Sequence, residues 1–296
     1  MSRVVRHGLA LLRAPAIEFG YALRASLRWS RGAPGRSRLA DAPTFAWAPA
    51  PLAAELTQRA AVLEARFGIE ARLAGLAPEV RARNFARLEQ LERLAGGRTP
   101  PGSCDGVVRA ADLGCGDFHY AAALCRWLSC AGDGDRSTVL RGLELDGHGI
   151  YRDGHSRADH GRAHARAASV DGDLVRFEVA DAAAARLPRQ DVVSLFFPFL
   201  SPYACLQWGA PLSRLRPRRL LARAVSSLRP GGWLVVANQT TREHARLCRL
   251  LAGLPVVRIA RATLATDLVP EAPRTVGQIG SIWQRQEDVP SGMANG

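Results

Sequence analysis

Residues 110–124 read AADLGCGDFHYAAAL, a run in which acids and glycines alternate. Asp112 comes first, Gly114 and Gly116 flank Cys115, and Asp117 follows. Glycines at such a turn let the backbone pass close to a ligand, and the helix after it presents free N–H groups. A dinucleotide pyrophosphate calls for G-x-G-x-x-G, and His119 stands at the last position of that pattern. An acid ahead of the glycines repels a pyrophosphate and suits a ligand that carries a cationic amino group. Two more acids close apolar runs further on, Glu144 in GLELD and Asp181 in VADA. A carboxylate at Glu144 can accept both hydroxyls of a ribose, and one at Asp181 can accept an exocyclic adenine amine. Any one of these acids also fits a helix cap. Three of them at successive strand ends fit an adenosine-containing ligand better.

A second stretch, FFPFLSPY over 196–203, supplies aromatic groups and little that is polar. Its rings either wall an apolar substrate pocket or pack a sheet edge. Groups able to move a proton near the strand ends are His119, Tyr120, Tyr151, His155, Tyr203, Glu243 and His244. Of these, Tyr203 and His155 are the expected catalytic residues, because loop or helix-start positions project them beyond the sheet.

The elements that must position these groups are legible from periodicity. VVRAADL (107–113), TVLRGLEL (138–145), LVRFEVA (174–180), DVVSLFF (191–197) and WLVVAN (233–238) read as buried strands. Residues 119–128, 150–168, 218–228 and 242–253 read as the helices between them, and 255–260 and 276–285 as two final strands. This alternation predicts a mostly parallel sheet covered on both faces, with ligands at the carboxyl ends of its strands. Ahead of it, 52–67 and 79–94 have helical periodicity, and RGAPGRSR (31–38) and APAPL (48–52) read as linkers.

DLGCGD, GLELD, VADA and LRPGGWLVVAN, in this order, resemble the class I S-adenosylmethionine-dependent methyltransferases over residues 79–285. The resemblance implies a Rossmann-like seven-stranded sheet with helices on both faces, whose last hairpin contributes one antiparallel strand. From the resemblance together with the composition of its N-terminal part, the chain reads as three regions: a basic, flexible N-terminal arm over 1–50, a helical cap over 51–104 and a catalytic domain over 105–296. S-adenosylmethionine is the implied cofactor. Asp112, Gly114 and Gly116 would cradle its methionine and ribose, Glu144 would take the ribose hydroxyls, and Asp181 with Ala182 the adenine. Cys115, Asp117, Leu145 and Phe197 complete the implied site, and no metal is implied. Phe118 departs from the pattern, since most members have a glycine there. The resemblance leaves the methyl acceptor open between a small molecule and an RNA. A nucleoside-binding protein without turnover and a nicotinamide-dependent oxidoreductase are the rival readings.

Composition sets outer limits. The 296 residues are 47% hydrophobic, enough to bury a sizeable core. All 40 basic residues are arginine, which excludes a lysine base or Schiff base. Residues 1–40 carry eight arginines against Glu18 alone, and the run from Arg214 to Arg261 is opposed only by Glu243. Such runs point to RNA or an anionic surface, or to solvated arginine favoured by a GC-rich coding sequence. The first could form an amphipathic surface helix over 3–24. The six cysteines, Cys104, Cys115, Cys125, Cys130, Cys205 and Cys248, show no metal spacing and read as reduced residues of a cytoplasmic protein. No stretch reaches the ~20 apolar residues of a membrane span, so no stable membrane insertion is expected.

Overall fold

A computed structural model describes residues 12–103, 105–130, 136–271 and 275–287. Residues 3–11 of the surface helix read over 3–24, and Cys104, lie outside them. Helix α1, Ala14–Leu27, is the first described element. Two long helices follow, α2 (Ala50–Phe67) and α4 (Pro78–Ala95), with the short α3 (Glu70–Leu73) between them. Both long helices carry proline in the first turn, where the missing N–H has no intrahelical partner to lose. Both end on a left-handed glycine, Gly68 and Gly96.

The strands and helices then alternate: β1 (Val107–Leu113), α5 (Ala121–Ser129), β2 (Ser137–Glu144), α6 (Arg157–Ala168) and β3 (Leu174–Val179). After β4 (Gln190–Phe196) come α7 (Pro202–Gln207), a 3-10 turn at Leu212–Arg214 and α8 (Pro217–Ser227). The chain continues through β5 (Leu228–Asn238), α9 (Thr241–Leu251), β6 (Val256–Thr263) and β7 (Ile279–Arg285). They form one seven-stranded sheet in the order β3-β2-β1-β4-β5-β7-β6. β7 runs antiparallel to both β5 and β6, as the resemblance implies for the last hairpin.

Two apolar clusters cover the sheet. One joins α2, α4, α5 and α6 around Phe118, Trp127 and Phe67. The other lies under α8 and α9, around Leu221, Val225, Leu247 and Leu251. The order of strands reverses between β1 and β4, and that is where an open α/β sheet leaves a crevice.

The helix expected over 150–168 begins only at Arg157. Ser156 accepts from the Asp159 N–H at 3.1 Å while the Asp159 carboxylate accepts from the Ser156 N–H, a reciprocal cap that fixes the start. Residues before it turn back, with Ile150 bridging to Ser156. β5 starts five residues earlier than the apolar run suggested, because Leu228 pairs with Gln190 before the register shifts at Val192.

Candidate cofactor site

The register places three groups on one row across the crevice: Gly142 of β2, Asp112 of β1 and Ser194 of β4. Asp112 is wholly buried. Ser194 donates to its Oδ1 at 2.7 Å, and the Tyr120 hydroxyl donates to its Oδ2 at 2.6 Å. Burial pushes the Asp112 carboxyl up to about 6, against the pull of those two hydroxyls and of Arg87. Both oxygens thus hold protein groups, and Asp112 fastens the glycine turn to β4.

Gly114 and Gly116 follow with left-handed φ of 80° and 62°, and a Cβ on either would meet no atom within 4 Å. Above them is open space of the kind a ligand's backbone contacts require. Phe118, where a third glycine was expected, keeps the left-handed conformation, with φ 55°. Its ring turns down into the core and is fully buried there. A Cβ on Gly142 would lie 2.7 Å from that ring. Phe118 and Gly142 are therefore a matched pair beneath the turn, and the ring takes no space from the crevice.

Glu144, at the end of β2, closes the next side. Its Oε2 accepts from the Gly116 N–H at 2.9 Å, its Oε1 from the Asp146 N–H at 3.0 Å, and Arg157 Nη1 approaches Oε1 at 3.1 Å. Asp146 in turn is met by Arg24 of α1 at 2.6 Å. Asp181 accepts from the Ala183 N–H at 2.9 Å, the geometry of a local turn, with Arg214 at 3.8 Å. Leu145 and Ala182 are half-buried beside these acids, and Cys115 is buried, where desolvation raises its thiol well above its ordinary value.

Burial would raise the Asp117 carboxyl. His119 at 2.7 Å outweighs it, with help from His164, and holds the carboxyl far below its ordinary value. His164 Nδ1 also lies 2.8 Å from the Asp117 carbonyl, which ties the turn to α6. On the other side Asn84 of α4 donates to the His119 carbonyl at 2.7 Å and accepts from the Ala123 N–H at 3.0 Å.

The two expected catalytic residues sit on other segments of the chain, His155 ahead of α6 and Tyr203 on α7. His155 Nδ1 lies 3.0 Å from the Gly32 carbonyl, on the segment that follows α1. Tyr203 is half-buried in the first turn of α7, after Ser201 caps that helix. Phe197 is half-buried with φ 60°, and its N–H donates to the Ala237 carbonyl at 2.8 Å.

Sequence reasoning passed over two buried polar side chains. The guanidinium of Arg87 lies 4.1 Å from the Phe196 ring centre and 4.9 Å from that of Tyr120. Its Nε and Nη1 are buried with no acceptor among the described residues. Asn238, at the carboxyl end of β5, is fully buried, and neither amide atom has a partner among them. Asn238 was signalled only as a polar residue closing the apolar run WLVVA, and nothing local marks Arg87.

The donor set fits S-adenosylmethionine: an open glycine turn, an acid fixed at the end of β2, and buried acceptors and donors where β1, β4 and β5 end. Glu144 and the Gly114–Gly116 turn would hold the nucleoside, with Asp112 behind them.

No family model matches the chain, and no curated protein matches it in sequence. Among solved structures it is similar to TrmN from Thermus thermophilus, at 20% identity over 67% of this chain and 48% of that one, with a TM-score of 0.44. The chain therefore spans about half the length of TrmN. It is also similar to the [4+2]-cyclase SpnF, at 14% identity over 70% of this chain and 82% of that one, TM-score 0.46. A third is the geranyl diphosphate C-methyltransferase from Streptomyces coelicolor A3(2), crystallised with Mg2+, geranyl diphosphate and S-adenosyl-L-homocysteine. Its identity is 14% over 70% of this chain and 84% of that one, with a TM-score of 0.45. Likenesses at this level leave the reaction to be argued from the residues. The seven-stranded sheet covered by helices, with one reversed strand in its last hairpin, is the architecture that the resemblance to the class I S-adenosylmethionine-dependent methyltransferases implies.

Proposed function

We propose that the protein transfers a methyl group from S-adenosylmethionine to an acceptor that is a small molecule or an RNA. The observation that carries this reading is the fixed Glu144 carboxylate, hydrogen-bonded to the Gly116 and Asp146 N–H groups beside an open glycine turn. A carboxylate there accepts ribose hydroxyls and rejects a phosphorylated ribose, which also disfavours NADP. When bound, the cofactor supplies a sulfonium methyl group, an electrophile that needs alignment more than acid or base.

The chain's own residues would provide that alignment. Asp112 locks the turn to β4 through Ser194, Asn84 locks it to α4, and the aromatic rings of Phe196 and Tyr120 exclude water from the far side. Asp181 and Ala182 would border the adenine. His155 and Tyr203 are the proposed proton acceptors for an acceptor atom that must lose a proton.

Thermal unfolding tests the reading. S-adenosylhomocysteine should raise the melting temperature and NAD should not. Stabilisation by NAD alone would overturn this reading in favour of the oxidoreductase one. Tritiated methyl transfer into fractionated lysate then asks whether label follows RNA, protein or small molecules. Stabilisation without label in any fraction would instead favour a nucleoside-binding protein without turnover.

A further inference from the structure

We propose that the groove between α8 and α9 binds the phosphodiester backbone of a nucleic acid. The groove encloses about 650 Å³ and is lined by Arg216, Arg218 and Arg219 at the start of α8 and by Arg246 and Arg249 of α9, with Leu250 at its floor. All five arginines are exposed. No carboxylate lines the groove. Arg219 Nε donates to the Ala183 carbonyl at 3.0 Å, which fixes that side chain. The other four have no acidic partner among the described residues.

On the opposite face, Arg162 and Arg166 of α6 also have no ion pair among the described residues, but Glu178 lines their groove beside them, and other arginines there are paired directly. Arg59, Arg66, Arg83 and Arg157 each meet a glutamate: Glu89, Glu92, Glu271 and Glu144. A coding bias toward arginine explains how many there are. It does not explain why those on α8 and α9 converge without counter-charge. Like charges so close repel unless an anion joins them.

The shape and lining select the anion. Leu250 and Pro217 are the groove's only apolar lining residues, so it has no wedge for a lipid bilayer. No aromatic ring lines it either, so bases would not stack there. What remains is contact with phosphates, which positions a strand without reading its sequence. The inference is independent of methyl transfer, because a null result with nucleic acid leaves nucleoside binding untouched.

Fluorescence anisotropy with a short labelled RNA and a DNA of the same sequence provides the test, in salt from about 50 to 200 mM. The wild-type protein should bind both, or the RNA alone if a ribose hydroxyl is also contacted. The double variant R246S/R249S should bind about tenfold more weakly, with the salt slope reduced by about 1.4. The control R66S/R83S removes the same charge from acid-paired sites and should bind as the wild type does. Equal loss in both variants would overturn the proposal. So would no binding of either oligonucleotide at the lowest salt, or binding only to phosphatidylglycerol vesicles.

Discussion

On the sheet face covered by α4, α5 and α6, the buried acids beside the glycine turn are answered by protein groups. Arg157 reaches Glu144 at 3.1 Å, Asp112 holds two hydroxyls, and His119 lies against Asp117. On the face covered by α8 and α9, five exposed arginines share a groove with no acid in its lining. Each face rests on its own apolar cluster. The first face spends its polar groups on holding a turn in one shape, and disturbing them should alter both stability and ligand affinity. The second holds charge in reserve for a partner, and removing it should leave the fold unchanged.

The largest effect expected on the first face comes from Phe118. Phe118→Ala empties a fully buried ring site above Gly142 and should cost about 3–5 kcal/mol in urea unfolding. A loss below about 1 kcal/mol would mean the ring is not matched to Gly142.

Next comes the titration of Asp112. Its carboxyl binds a proton more tightly when folded, at about 6 against an ordinary 3.8. The folded state therefore keeps a proton that the unfolded chain has released, and this contribution to stability is lost as pH rises from about 4 to about 6. It amounts to about 3 kcal/mol. Asp112→Asn should flatten that descent relative to the wild type, measured as unfolding free energy at successive pH values. An identical slope in both proteins would assign the titration to another group.

The smallest effect belongs to the second face. R246S/R249S should leave stability within about 0.5 kcal/mol of the wild type, because neither exposed side chain has an acidic partner among the described residues. A larger drop in the unfolding midpoint would reveal a structural role and erase the contrast between the faces.

Much of this was legible before any coordinates. Strands such as β4 announce themselves because every residue of Gln190–Phe196 is buried. The acids at the ends of β1, β2 and β3 were visible for a related reason, since each interrupts an apolar run. What escaped was partnership. DVVSLFF does not reveal that Ser194 will face Asp112, because that depends on the parallel register of β4 with β1. Nothing local marks Asn84 or Arg87, which enter the site only when α4 docks on the glycine turn. Phe118 looked like a departure from a glycine pattern. Only the missing Cβ of Gly142, far along the chain, explains why a ring fits there. The start of α6 was misplaced by seven residues because a reciprocal cap at Ser156 outweighs polar periodicity ahead of it.

The central claim is that Glu144 and the glycine turn hold a nucleoside with free ribose hydroxyls, and calorimetric titration of S-adenosylhomocysteine measures it most directly. The wild type should bind in the micromolar range, and Glu144→Gln, which keeps the side chain's shape, should bind about ten- to a hundredfold more weakly, a difference of about 1.4–2.8 kcal/mol. Equal affinity in the two folded proteins, or no heat of binding in the wild type, would contradict the account.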